Sequence, residues 1–226
     1  MKLDKITKPS SRHYDDACGT AHALDLIGER WALLVMRELT MGPRRFGDLR
    51  TSLPGLSANV LTQRLEGLEA SGVVRRRKLP PPASVQVYEL TEWGLEAEPI
   101  LLSLGKWAIR SPRHDPTLPL SPVALMLSFR AKFEPAKTTG LTLWITFRFD
   151  REAFTVGVAD GVLITARGEA ERADVEVTGS PPAVAGLVYG KVPLDELERL
   201  GALTVTGDKT TLTRLADLYV MPPKAS

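Results

Sequence analysis

Asn59, Thr62 and Gln63 offer two amides and a hydroxyl at i, i+3 and i+4, so any helix carrying them presents them on one side. Such groups can pair with base edges in the major groove of duplex DNA. Farther along, Arg75, Arg76, Arg77 and Lys78 are four consecutive cations that would repel one another on an ordinary surface strand. Phosphates compensate such a run, at one charge per roughly 1.7 Å of duplex axis. Between residues 44 and 78 eight cations, those four with Arg44, Arg45, Arg50 and Arg64, face three anions, Asp48, Glu66 and Glu69, a net of +5. We therefore expect base reading by Asn59, Thr62 and Gln63, with Ser57 at their helix start. Phosphate contact is expected from Arg45, Arg64, Arg75, Arg76 and Arg77. A solvated amphipathic helix would show the same wheel; the basic run that follows favours DNA.

The elements that must position these groups are legible. Ser57 suits an N-cap, because its hydroxyl can accept an orphan backbone N–H. Leu61, Leu65 and Leu68 form the apolar face behind the polar one, and Gly72 suits a left-handed helix stop. Residues 46–53 predict a preceding short helix, joined by a Pro54-Gly55 turn. Residues 73–90 predict a hairpin whose tip holds Pro80, Pro81 and Pro82, since prolines cannot sit inside a sheet. Helix, turn, helix and basic hairpin make a winged helix-turn-helix. Upstream, helices are expected over residues 14–27 and 30–40, separated by Gly28. Downstream, Thr91 can cap a helix over residues 92–109, with Pro99 kinking or restarting it. That helix carries Trp93, Ile100, Leu104 and Trp107, more apolar surface than a small core needs. With the first helix it is expected to form a homodimer contact, although covering its own core is the alternative.

These residues also carry a resemblance. Cys18, Leu24-Asp25-Leu26-Ile27-Gly28-Glu29-Arg30-Trp31, Gly42-Pro43-Arg44-Arg45-Phe46-Gly47-Asp48-Leu49, Leu53-Pro54-Gly55-Leu56-Ser57, Leu61-Thr62-Gln63-Arg64-Leu65 and Tyr88-Glu89-Leu90-Thr91 run in unbroken order. Over residues 14–110 the chain resembles the HxlR family of bacterial transcriptional regulators. The resemblance implies a dimeric winged-helix regulator whose second motif helix enters the major groove. The DNA partner would then be an inverted-repeat operator.

A chain of 226 residues suits two domains. The expected division is an arm at residues 1–13, a DNA-binding and dimerisation domain at 14–111, a proline-rich linker at 112–122 and a second domain at 123–226. The basic charge is concentrated before the linker, where residues 1–116 hold 17 Lys/Arg against 14 Asp/Glu. The second half alternates at period two over residues 141–149, followed by strands at 154–158, 161–167 and 173–177. Helices at 181–189 and 194–200, a strand at 202–206 and a last helix from Asp208 complete an α+β domain, read as a four-strand meander with helices. The fold class expected for the whole chain is α+β. Ala173-Asp174-Val175-Glu176-Val177, Tyr189-Gly190-Lys191 and Gly201-Ala202-Leu203-Thr204-Val205-Thr206-Gly207-Asp208 resemble the sterol-carrier-protein-like fold over residues 120–219. That resemblance implies an apolar cavity between sheet and helices for a hydrophobic small molecule.

Cys18 is the single cysteine, which excludes an internal disulfide and suits a reducing compartment. In the resembled family a cysteine near the start of the first helix is often a redox or electrophile sensor; a helix N-terminus would lower its pKa, whereas Asp15 and Asp16 beside it would raise it. His13, His22 and His114 are scattered, so no metal is expected, and no cofactor or catalytic motif is present. No apolar run reaches about 18 residues, and the N-terminus lacks a signal-peptide pattern. A cytoplasmic location is expected, with no membrane partner. The reading is a DNA-binding regulator, not an enzyme, modulated by a hydrophobic ligand or by Cys18 oxidation. The alternative is a small-molecule carrier in which the winged helix mainly dimerises.

Overall fold

The computed structural model describes residues 13–225; the expected arm, apart from His13, lies outside them. The first half contains α1 (Gly19–Ile27), α2 (Ala32–Leu39), α3 (Phe46–Ser52), α4 (Ala58–Ala70), β1 (Val74–Lys78), β2 (Gln86–Leu90), α5 (Glu92–Leu95) and α6 (Glu98–Ala108). The second contains α7 (Pro122–Lys132), β3 (Leu143–Phe149), β4 (Glu152–Ala159), β5 (Val162–Arg167), β6 (Val175–Gly179), α8 (Pro181–Val188), α9 (Leu194–Arg199), β7 (Leu203–Gly207) and α10 (Lys209–Asp217).

Each half has its own core. Val35, Met36 and Leu39 of α2 meet Leu49 of α3 and Leu61, Leu65 and Leu68 of α4 in one apolar cluster. Burying each of those leucines contributes about 1.5–3 kcal/mol, so the face that clamps α4 is the one its heptad-like spacing marked. Ser57 caps α4, accepting from the Val60 N–H at 3.3 Å. Gly72 takes φ +73 after it, the left-handed stop expected of that residue. The predicted helix at 92–109 breaks at Glu96-Ala97 and restarts with Pro99 in the first turn of α6, where a missing N–H costs nothing. The first helix begins at Gly19 instead of residue 14, with Cys18 at its N-cap.

The second half departs from the expected meander. The sheet order is β5-β4-β3-β6-β7, and β6 lies parallel to β3 rather than antiparallel to β5. Residues 168–174 make the crossover, secured where Ala170 N–H donates to Thr146 Oγ1 at 3.2 Å. Gly157 on β4 leaves room for the Trp144 ring, whose atoms lie 2.4 Å from where a Cβ would stand.

Helix α7 was not expected from the sequence. Ser121 caps it, accepting from Ala124 N–H at 3.1 Å, and Val123, Leu125, Met126, Leu127 and Phe129 are all buried. A helix apolar on every side shows no stripe, because it is covered on every side. It packs against α6 and α2 on one flank and α8 and β5 on the other. It is thus the wall between the halves.

The expected lipid cavity between sheet and helices is filled. Phe129 stands 6.2 Å from Phe147, 6.2 Å from Tyr189 and 5.2 Å from Tyr219 between ring centroids. Phe147, Phe154, Val184, Leu212, Leu215 and Tyr219 are fully buried among them. Aromatic side chains at these spacings leave the interior close-packed. Open volume lies instead at the seam. One cleft of about 1020 Å³ runs between Trp31 and Arg44 on one side and Glu152 and Pro181 on the other. A second, of about 320 Å³, lies between α2, α6 and α7.

The seam is also tied by charge. Glu38, fully buried on α2, accepts from Ser121 Oγ at 2.7 Å and from Arg37 Nε at 2.9 Å. Arg130 of α7 donates to Glu98 of α6 at 2.6 Å and to Thr165 Oγ1 of β5 at 2.7 Å. Glu152 of β4 is shared by Arg44, itself 6% exposed, and Arg167. The proline-rich residues 112–122, expected to form a linker or a domain seam, run beside this bonded interface, and Ser121 takes part in it.

Candidate nucleic-acid interface

Helix α4 is presented as the spacing requires. Leu61, Leu65 and Leu68 are buried, while Asn59, Thr62, Gln63 and Glu66 are exposed along the opposite side. Gly55, at φ +87 in the α3–α4 turn, lets the chain reverse tightly enough to offer that side. The Thr62 hydroxyl donates to Ala58 O at 3.0 Å. Its hydrogen is therefore engaged, leaving an accepting oxygen and a methyl for a base edge. Ser57 acts as the helix cap, its hydroxyl oxygen engaged by the Val60 N–H.

The arginines divide by environment. Arg45 is exposed at the N-cap of α3, its backbone N–H bonded to Asp48 Oδ2 at 3.3 Å. Arg64 is not on the open face: it pairs with Glu29 at 3.0 Å and its side chain is 18% exposed. It braces α4 against the α1–α2 turn rather than standing ready for phosphate. Arg44 is likewise withdrawn into the seam, so the net charge counted along the sequence overstates what DNA would meet.

The hairpin is a wing with internal counter-ions. Its register places Arg75 opposite Glu89, Arg76 opposite Tyr88 and Arg77 opposite Val87. Glu89 accepts from Arg75 Nε and Arg77 Nε, each at 2.7 Å. Burial opposes charge on Glu89, but hydrogen bonds from Arg77 and then Arg75 outweigh it and hold the carboxyl below its ordinary value. Arg76 points to the other face, bonded to Glu69 of α4 through Nε at 3.2 Å and Nη2 at 2.7 Å, and lies 5.7 Å from the Tyr88 ring centre. The Glu69 hydrogen bond, then its charge, raise the Arg76 pKa above its ordinary value. Among the described residues the Nη groups of Arg75 and Arg77 carry no hydrogen bond, so both arginines keep donors for phosphate. Behind the wing, Arg44 exchanges backbone hydrogen bonds of 2.9 and 2.8 Å with Tyr88, fixing β2 to the start of the motif.

Glu69 and Glu89 were the residues that reading along the chain missed. The Arg75–Glu89 pairing follows from the hairpin register, which no local spacing reveals when the turn spans seven residues.

Cys18 is fully exposed. The Thr20 backbone N–H, then the Thr20 hydroxyl and the Ala21 N–H, favour its thiolate and lower its pKa. Of the two opposing influences expected on Cys18, the helix-start donors prevail over Asp15 and Asp16; Asp16 accepts the Cys18 backbone N–H at 2.9 Å. Among the described residues no group of three or more His, Cys, Asp or Glu could hold a metal ion, and no helix is long and apolar enough to cross a membrane.

Residues 26–115 match the family described as HxlR-like helix-turn-helix, and residues 119–225 match the one described as alkyl sulfatase C-terminal. The HTH-type transcriptional regulator sll1512 of Synechocystis sp. is 40% identical over 39% of this chain and 66% of its own length. YvaP of Bacillus subtilis, another HTH-type transcriptional regulator, is 40% identical over 38% of this chain and 80% of its own. Among solved structures, the inverting sec-alkylsulfatase Pisa1 of Pseudomonas sp. is 19% identical with a TM-score of 0.42, over 47% of this chain and 17% of its own.

Proposed function

The chain belongs to the HxlR-like helix-turn-helix family of transcriptional regulators, and from that premise we propose that it reads an operator with α4 and grips phosphates with its wing. It is a DNA-binding transcriptional regulator; the roles of individual residues are our reading. The observation that carries it is the exposed Asn59-Thr62-Gln63 face of α4 together with the wing that Arg76 ties to the same helix, on which the Nη groups of Arg75 and Arg77 remain unengaged among the described residues. Asn59 and Gln63 would read bases, and Thr62 would offer its methyl and accepting oxygen. Arg45, Arg75, Arg76 and Arg77 would hold phosphates, with Ser57 assisting and Arg64 bracing the helix from behind.

We read the active form as a homodimer through α1 and α6. No residue of α6 is buried, and Ile100, Leu104 and Trp107 are 58%, 43% and 72% exposed on it. Exposed apolar area of this kind marks an interaction surface. The dimer would bind an inverted repeat with half-sites about 10 bp apart or a multiple of that. The cysteine at the α1 cap supports a response to oxidants. The strand and helix order of residues 120–219 supports the finer likeness to sterol carriers, while the filled interior moves any small-molecule site to the seam. We read the second domain, 123–226, as sensory and not catalytic, and residues 112–122 as the connection.

The test is binding of operator and random duplexes by fluorescence anisotropy. Gln63→Ala should lose roughly 1–3 kcal/mol on the operator and little on random DNA. Equal losses on both would end the assignment of base reading to this face. The carrier reading is favoured by the two seam cavities, and it would prevail if selection from random duplexes enriched no sequence.

A further inference from the structure

The smaller seam cavity, about 320 Å³, is walled chiefly by aliphatic side chains, among them Leu34, Leu101, Leu102, Ala124 and Leu127. Its ionisable lining is all cationic: Arg37, Lys106 and Lys132. Arg37 is already paired with Glu38 at 2.7 Å. Lys132 has no carboxylate partner among the described residues, and its ammonium sits 3.9 Å from the centre of the Tyr189 ring. Tyr189 cannot supply the missing anion, because burial holds its phenol protonated and its hydroxyl bonds Ser128 at 2.7 Å. Burial draws the Lys132 pKa down to about 8. A half-desolvated ammonium beside an apolar cavity is costly until an anion joins it.

We propose that this cavity binds an amphipathic anion, a single alkyl chain ending in a carboxylate or a sulfate. The chain lies among the leucines of α2, α6 and α7, and the headgroup sits between Lys132 and Lys106. The volume is at the lower end for ligand pockets, which suits one chain and not a fused-ring ligand. The lining draws on both matched segments, Leu33 to Ile109 from the first and Leu120 to Lys132 from the second. The site stands whether or not α4 reads DNA; only its effect on operator affinity rests on that reading.

The experiment is calorimetric titration of the full chain with decanoate, decyl sulfate, decanol and decyltrimethylammonium, each below its micelle concentration. At least one of the two anions should bind, tenfold or more tighter than decanol, and the cation should not bind. Whichever anion binds identifies the headgroup. Lys132→Met should bring the anion to the level of decanol and leave decanol unchanged. Ala124→Phe, which fills the cavity, should abolish uptake with the circular dichroism spectrum retained; it keeps the idea testable if Lys132→Met does not fold. Binding of anion, alcohol and cation alike, anion binding untouched by either substitution, or no binding of either anion overturns the proposal. Unchanged operator affinity in the presence of a bound anion would remove the coupling to DNA and leave the site intact.

Discussion

Glu69, in the last turn of α4, holds the Arg76 guanidinium of the hairpin by two hydrogen bonds, of 3.2 and 2.7 Å. The bidentate fork fixes the angle between helix and wing, yet it also places a carboxylate where a phosphate would approach. Replacing Glu69 with Ala removes that competing carboxylate and should strengthen binding to operator and random DNA alike, with little change of salt slope. Arg76→Ala should make the slope shallower by about one unit on operator and random DNA alike. Identical slopes for both variants, measured by anisotropy across a salt series, would mean Arg76 is purely structural.

The same arithmetic explains why Arg75 and Arg77 need Glu89. Two arginines facing the same way repel, and the shared carboxylate, 11% exposed, offsets that. Glu89→Gln should loosen the wing, and protease cleavage near Pro80 should accelerate in the free protein. No acceleration would show that the hairpin holds its shape without the counter-ion.

Cys18 should alkylate faster at pH 7 than a cysteine in an unstructured peptide, because its lowered pKa leaves more thiolate at that pH. Thr20→Val removes the hydroxyl that contributes to this and should move the rate profile to higher pH. Iodoacetamide kinetics followed by mass spectrometry read both effects. A profile identical to the peptide's would remove the basis for oxidant sensing at this thiol.

Lys132 sets a pH dependence whose sign is fixed. Its folded pKa, about 8, lies below the unfolded value. The charged form is the disfavoured one, so the cost is full below about pH 8 and is relieved as pH rises from there toward about 10.4. Burial alone causes the shift; the neutral Tyr189 ring lies 3.9 Å from the ammonium, and Lys106 and Arg37, the other ionisable groups lining the cavity, are cations that supply no compensating charge. Lys132→Met should therefore stabilise the chain at pH 7, by on the order of 1–3 kcal/mol. That gain should shrink between pH 8 and 10 in thermal melts. A destabilised variant at pH 7 would contradict this account.

Glu38 is the most committed residue of the seam, fully buried and bonded to Arg37 and Ser121. Glu38→Ala strands the Arg37 charge and the Ser121 hydroxyl, and should cost roughly 3 kcal/mol. Calorimetry should then resolve two transitions, one per core. A single transition at unchanged temperature would mean that α6 and α7 packing alone holds the halves together.

Much of the molecule was legible along the chain because local rules decided it. Ser57, the leucine spacing of α4 and Gly72 each act within a turn or two, so α4 and its exposed face were determined by sequence alone. The strands of the second half followed from period-two alternation, and the restart at Pro99 from the missing N–H. What only the tertiary structure decided involves partners far apart in sequence. Helix α7 has no stripe to find, since both halves cover it. Strand β6 joins β3 because the crossover carries it there, which alternation cannot encode. Arg64 looks like a phosphate ligand by composition, but Glu29 claims it, and Glu152 holds Arg44 in the seam. The interior expected to hold a ligand closes because Phe129, from that hidden helix, meets Phe147, Tyr189 and Tyr219 at once. Charge and periodicity name the groups able to do chemistry; three-dimensional packing determines which of them remain free to do it.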